Sequence, residues 1–458
     1  MESVEKLLAQ GSDLVWGPPM LILLFGTHLY LTFRLRFIQR YTGLGIKLSF
    51  SSEREGEGDI SHFGALTTAL AATIGTGNIV GVATAIAAGG PGAVLWIWLT
   101  GVFGMASKYA EAVLSLRYRT TAADGSMAGG PMYVLERGMG MRWLGIVFAV
   151  FTAVAAFGIG NMVQANSVAV LAHDTFYVSP WITGVVLTVL TGIVILGGIR
   201  SIARVCEGLV PFMAIFNIVG CLILLAMHAD RIPGTIGLIV SGAFTGQAAV
   251  GGFLGAGVRE AMRYGIARGL FSNEAGLGSA PIVAAAAQTT SPVKQALVSA
   301  TGVFWDTVVM CALTGLVIVN SGAWMQPGLN GASLSRAAFA DIPVIGPIVL
   351  TVGLITFVFA TILGWAYYGE KAAEYLFGIG AVQPYRVLWV LAVLVGSVVS
   401  LPAVWSFADI ANGMMALPNL VCLLAMTGVV VAETRTHLWD AGPEGPALSQ
   451  KRSAVGDR

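Results

Sequence analysis

The chain has 458 residues and a net charge of +1, with 11% of residues charged and 56% hydrophobic. Soluble domains carry about 25% charged residues, so these proportions exclude both a compact soluble fold and a disordered chain. The near-neutral balance also excludes a nucleic-acid binder, which needs a basic face, and leaves an all-α polytopic protein of the lipid bilayer.

Residues 61–107, 143–172, 175–199, 208–229, 275–293, 342–369, 387–408 and 410–432 contain no Asp, Glu, Lys or Arg. A bilayer core of about 30 Å takes roughly 20 apolar residues as helix. Membrane β-barrels read instead as alternating segments of about 10 residues, a pattern missing here. Eleven transmembrane helices are expected, near 14–36, 63–88, 91–117, 143–171, 180–199, 206–228, 266–288, 296–320, 344–376, 385–401 and 406–432. The first apolar run, Leu14 to Phe33, follows an acidic stretch and has its basic flank behind it. That is the reverse of a secretory signal, so a retained helix is expected. The Gly-rich stretch 230–265 reads as a connection over one membrane face, and the polar tail 433–458 as mobile.

Basic residues set the orientation. With Arg34, Arg36, Arg40 and Lys47 inside, the alternation also brings Lys108, Arg117, Arg119, Arg137, Arg142, Arg200, Arg204, Lys294, Lys371 and Arg386 inside. The positive-inside rule then puts the N-terminus outside and the C-terminus in the cytoplasm of a plasma (inner) membrane protein.

The second span holds Thr73-Ile-Gly75-Thr76-Gly77-Asn78 followed by Gly81. Glycine costs about 1 kcal/mol relative to alanine in a helix, and Asn prefers caps and turns. A break at mid-membrane frees backbone N–H and C=O groups, which are tolerated only inside protein or along a polar cavity. The half-helix beyond the break would aim its positive end at a carboxylate, while the carbonyls before it suit a cation. The same residues also suit close helix packing through Gly77-x-x-x-Gly81. A second interrupted stretch, Phe271-Ser-Asn273-Glu-Ala-Gly276-Leu-Gly278-Ser279, falls five spans later. Paired broken helices in corresponding halves mark a transporter's substrate site.

Other polar residues interrupt apolar spans: Asn161, Gln164 and Asn166 in the fourth, Asp306 in the eighth, Thr356 and Thr361 in the ninth. An intramembrane ionisable group is a functional candidate, whereas Asn and Gln also join helices. Lys108 and Glu111, three apart, read as a structural pair, and Asp409 and Glu274 as interfacial groups. Trp365, one turn past Thr361, is a candidate pocket wall. The four cysteines are scattered and form neither a disulfide framework nor a metal cluster. No zincin, Walker or nucleophile-elbow motif occurs, so the chain is not expected to be an enzyme or to need a cofactor.

The chain resembles the alanine/glycine:cation symporters. The resemblance rests on Ala71-Ala-Thr-Ile-Gly-Thr-Gly-Asn78, Gly89-Gly-Pro-Gly-Ala-Val-Leu-Trp-Ile-Trp98, Gly125-Ser-Met-Ala-Gly-Gly-Pro-Met-Tyr133, Gly158-Ile-Gly-Asn-Met-Val-Gln-Ala-Asn-Ser167, Gly269 to Pro281 and Ile362-Leu-Gly-Trp-Ala-Tyr-Tyr-Gly-Glu370. It implies a LeuT-like fold of two inverted five-helix repeats, 51–229 and 266–432, with residues 1–50 adding one N-terminal helix. It further implies that Thr76 and Gly77 N–H groups receive an amino-acid carboxylate, with Gln164, Phe271, Asn273, Gly276 and Trp365 around the rest of the substrate. One Na⁺ would bind the carbonyls of Ala71 and Ile74 and the hydroxyl of Thr361. A second would use the Thr73 carbonyl, Asn78 and Ser272, with Asp306 as a further cation ligand. Two positions depart from the family's pattern. Ala360 replaces a common hydroxyl, removing an oxygen from a hard-cation site. Leu95 and Ile97 stand where Phe and Met are usual, an apolar exchange. The expected function is Na⁺-driven symport of alanine or glycine. Coupling to H⁺ is the alternative, motivated by Ala360, Asp306 and Glu274, and a passive channel is a more distant one.

Overall fold

A computed structural model of the chain describes residues 2–51, 56–245, 257–399 and 402–440. Helix occupies each of the eleven stretches expected to span the membrane. Among the described residues seven helices qualify as spans by length and apolarity, and eight if the bent pair His62–Thr73 and Thr76–Gly89 counts as one. The protein is therefore an all-helical polytopic membrane protein. The outer helices show why it needs lipid: Val185, Val189 and Ile193 of Pro180–Ile195 are exposed at helical spacing, as are Phe212, Ile215 and Leu222 of Gly198–Met227. These apolar faces would be costly in water.

Two helices form the inner scaffold. Ala93–Arg117 is buried along most of its length, with Tyr109, Lys108 and Glu111 enclosed. Ile345–Phe377 spans 33 residues and is buried all round from Ala360 to Glu374, enclosing Thr361, Trp365, Tyr367 and Tyr368. The broken helices pack against this pair. Ser61 starts the first of them, its hydroxyl accepting from Gly64 N–H at 2.9 Å. Capping of this kind satisfies an N–H that has no partner within the helix.

Two long helices contain π-helical stretches, Ala156–Met162 and Phe304–Cys311. Such wider turns free backbone groups and often accompany functional sites. Nothing in the hydropathy pattern marks them.

The Gly-rich connection is partly ordered helix, Ile232–Phe244, while its residues 246–256 lie outside the described residues. The tail also begins as structure. Helix Thr427–Thr434 runs into the turn Arg435–Trp439, where Leu438 is buried and the Arg36 guanidinium lies 4.5 Å above the Trp439 ring. The expected mobile tail is thus fixed as far as residue 440, because apolar burial and a cation–π contact hold it down. Residues 441–458 lie outside the described residues.

Candidate substrate and cation site

The first break is built around one side-chain substitution for a backbone bond. Helix His62–Thr73 should continue with Gly75 N–H bonding to the Ala71 carbonyl. Gly75 N–H instead donates to Asn78 Oδ1 at 2.9 Å. This releases the Ala71 carbonyl, and the chain turns by 63° before the helix resumes. The N–H groups of Thr76 and Gly77 find no acceptor among the described residues. Glycine at 75 is required by space, since an added Cβ would lie 2.6 Å from Thr361 Oγ1. Thr361 Oγ1 donates to Phe357 O at 2.9 Å and lies 3.3 Å from the Ile74 carbonyl. Ile74 and Thr361 therefore meet at one place, and the Ala71 carbonyl, one turn earlier, is left without its helical partner. Ala360 is buried beside them and contributes only a methyl group.

Asn78 also reaches the opposite way. Its Nδ2 donates to Asp306 Oδ1 at 2.7 Å and to the Asp306 carbonyl at 3.1 Å. Ser272 Oγ donates to Asp306 Oδ2 at 3.1 Å, and Thr307 Oγ1 does so at 2.6 Å. Asp306 sits in the π-helical stretch, completely buried, so its carboxylate is enclosed by neutral donors. Asn78, Ser272 and Asp306 are thus one cluster.

Between these two places lies a cavity of about 20 Å³, the space open to the centre of a water-sized sphere. That is room for one or two waters. Thr73, Thr76, Gly77, Gln164, Phe271, Ser272, Thr361 and Trp365 line it. Gln164 Nε2 donates to the Ile159 carbonyl at 2.9 Å and to Thr76 Oγ1 at 3.4 Å. Ile159 belongs to the first π-helical stretch, and it lines the cavity as well. Gly160 next to it makes room for Trp365, because a Cβ there would overlap the indole. The guanidinium of Arg268 lies 5.8 Å from the Phe271 ring centroid.

Two expected substrate contacts stand back from the cavity. Asn273 is buried and its Oδ1 accepts from Ala275 N–H at 2.9 Å. The Gly276 carbonyl accepts from Asn419 Nδ2 at 2.9 Å. Both residues shape the second break without lining the pocket. Glu274 is the reverse case. Read as interfacial, it is buried, lines the cavity and accepts from Ser279 Oγ at 2.5 Å. Its backbone has φ of 54°, so the side chain turns inward from a left-handed residue where the helix ends. Ile159 and Gly160 escaped the sequence because packing, not periodicity, brings them to the site, and Glu274 reads there only as an acidic candidate near an interface.

Above the cavity a wider cleft of about 210 Å³ shares Thr76 and is lined by Val80, Asn166, Asp174, Arg336 and Trp405. Arg336 Nη1 and Asp174 Oδ2 pair across it at 3.2 Å. The other side is shut. Asp59 and Ile60 N–H groups both donate to the Ala286 carbonyl, and Arg119 donates to the carbonyls of Ala285, Ala287, Thr289 and Glu57 at 2.8–3.2 Å.

The pattern of the Sodium:alanine symporter family matches residues 1–444. The chain belongs to this family. It is therefore a membrane transporter of a sodium-coupled symporter family and not an enzyme. The symporter is 53% identical over 434 residues to the sodium/alanine symporter AgcS of Methanococcus maripaludis, covering 93% of this chain and 95% of that one. It is 33% identical to a putative sodium/proton-dependent alanine carrier of Bacillus subtilis, covering 92% and 89%. Among solved structures it is similar to MhsT in complex with L-phenylalanine, with a TM-score of 0.57 at 16% identity, covering 82% of this chain and 92% of that one. A manganese transporter of Eremococcus coleocola matches with a TM-score of 0.52 at 14% identity, covering 83% and 82%. At these identities the likeness concerns the LeuT-like fold.

Proposed function

We propose that this chain carries alanine and glycine into the cell, driven by Na⁺ moving down its gradient. The observation that carries the reading is the first break, where Thr76 and Gly77, whose N–H groups are unbonded, line one enclosed site. In this reading the carboxylate of the amino acid takes the two N–H groups. Phe271 and Trp365 wall its side chain, and Gln164 fixes Thr76 and the Ile159 carbonyl around it; Asn273 and Gly276 act from behind. One Na⁺ binds at Ala71, Ile74 and Thr361, and a second at the Thr73 carbonyl, Asn78, Ser272 and Asp306. In a cavity of about 20 Å³ even a small zwitterion must displace its walls, and each further methylene raises that cost.

Alternating access follows from the asymmetry of closure. The cleft at Asp174 and Arg336 is the outer entrance, and the segment knitted by Arg119 is the closed inner one. The proposal includes eleven spans, an N-terminus outside and a C-terminus inside. It takes 51–229 and 266–432 as inverted repeats. Glu274 in the cavity wall favours a second reading, in which H⁺ replaces or accompanies Na⁺. The test is alanine uptake into proteoliposomes. A Na⁺ gradient at constant pH should drive accumulation, and replacing Na⁺ by K⁺ should abolish it. Accumulation driven by a pH gradient without Na⁺ would establish the H⁺ reading instead.

A further inference from the structure

The added N-terminal helix Pro18–Arg34 leaves a long groove against Val258–Asn273, the first half of the second broken helix. Pro18, Leu21, Ile22, Phe25 and Leu29 form one wall, and Met262 and Ile266 form the other. Their three- and four-residue intervals keep them on one face of each helix. The groove has a volume of about 370 Å³ and is open along one side, where Ile22 is 71% and Met262 38% exposed. From Pro18 to Leu29 the helix rises about 16 Å. That is about half of a 30 Å hydrocarbon core, the depth of one lipid leaflet.

Only one end of the groove is charged, where Arg259 and Arg263, one turn apart, line it. Two contacts fix which end this is. Trp16, just before Pro18, shares a smaller cavity with Arg263, while Leu24 and His28 lie against Gly276, past the far end of Val258–Asn273. The two helices therefore run in the same direction, with the arginines beside Pro18. Neither arginine has an ion-pair or hydrogen-bond partner among the described residues; the Arg263 guanidinium lies 5.3 Å from the Tyr264 ring centroid. Glu260 between them does not line the groove, and its Oε2 lies 3.3 Å from where Gly257 would carry a Cβ. Residues 246–256, outside the described residues, contain no Asp or Glu.

We propose that this groove holds an anionic phospholipid, its phosphate at Arg259 and Arg263 and one acyl chain along Phe25 and Ile266. An apolar trough one leaflet deep, with two unpaired guanidiniums at its mouth, matches such a molecule in length and in polarity. Guanidinium groups make charge-assisted, often bidentate contacts with phosphate. Val258–Asn273 also carries Phe271 and Ser272 of the central cavity wall. A lipid in the groove thus braces that half-helix against the added N-terminal helix. The assignment is independent of which substrate or ion the protein carries.

The test is the melting temperature of the delipidated full-length protein in neutral detergent, titrated with dioleoyl phosphatidylglycerol or with dioleoyl phosphatidylcholine. Phosphatidylglycerol should bind about tenfold tighter or more, as expected for two arginines at a membrane surface. A Cβ at Gly26, which lines the groove, meets nothing within 4 Å. Gly26→Phe should therefore fold, fill the trough and remove the stabilisation by phosphatidylglycerol; Gly26→Leu serves the same purpose if it does not fold. Arg259→Gln/Arg263→Gln should bring the two lipids to about equal affinity, whereas Arg259→Lys/Arg263→Lys should keep a preference for the anionic one. Equal stabilisation of the wild type by both lipids, or undiminished phosphatidylglycerol binding in the folded Gly26 variant, overturns the proposal. So does a wild type that neither lipid stabilises while Gly26→Phe melts lower, the result expected if residues 246–256, with Val250, Phe253 and Leu254, fill the groove instead.

Discussion

The two broken helices use similar residues to opposite ends. The first, between Thr73 and Val80, has one Asn side chain replacing a backbone bond, and it leaves the carbonyl and N–H groups around it unused. The second passes through three left-handed residues, Glu274, Gly276 and Gly278, and side chains of the scaffold and of the break itself take up three of its polar groups: Ser279 for Glu274, Asn419 for the Gly276 carbonyl, Glu111 for Gly278 N–H. Buried peptide groups cost free energy when unpaired, and in the proposal above the unpaired groups of the first break are the ones that meet the ligand. The second is bolted to the scaffold and gives that ligand a wall.

Substitutions can sharpen this contrast. The largest effect is expected at Gly75, where a methyl group meets Thr361 Oγ1 at 2.6 Å. Gly75→Ala should cost about 1–3 kcal/mol by overpacking, read as a loss of alanine and Na⁺ binding with the fold retained. Gly77 behaves differently, because a Cβ there meets Ser272 at 3.5 Å, an ordinary contact. Gly77→Ala should bind, while the branched side chain of Gly77→Val should block the carboxylate; calorimetric titration with alanine separates them.

On the second break the expected loss is in stability. Asn419→Ala removes donors to both Glu111 and the Gly276 carbonyl and should destabilise by about 1–3 kcal/mol, seen as a lower melting temperature. Alanine affinity per folded molecule should change less than in Gly75→Ala. If Asn419→Ala instead leaves stability intact and abolishes binding, the contrast between the two breaks fails. The smallest effect belongs to Arg336→Gln. Its pair with Asp174 is half exposed at the wider cleft, and such pairs contribute about 0–1 kcal/mol. Uptake should change by no more than a few-fold, and mainly in its dependence on ionic strength.

Much of this was legible in the sequence for a physical reason. Charge-free windows and helix-breaking residues report directly on lipid and on backbone conformation, so the polytopic helical class and both breaks could be read, while Thr76, Gly77, Gln164 and Trp365 came together through the family resemblance. The illegible parts depend on packing across helices. Neither π-helical stretch has a compositional mark, so the Ile159 carbonyl and Gly160 went unnoticed. Glu274 looks interfacial until its left-handed backbone turns it inward, and Lys108 looks paired with Glu111 until Gly278 and Asn419 claim that carboxylate. Asn273 and Gly276 carry the right polarity for a pocket but face the scaffold.

Equilibrium binding of alanine and of alaninamide to the purified protein in saturating Na⁺ tests the role of the first break most directly, because only the carboxylate can use the Thr76 and Gly77 N–H groups fully. The account predicts tight alanine binding and an amide weaker by about a hundredfold or more, given about 1.5–3 kcal/mol for a hydrogen bond to a charged group made twice. Equal affinities would mean that the amino acid is held elsewhere.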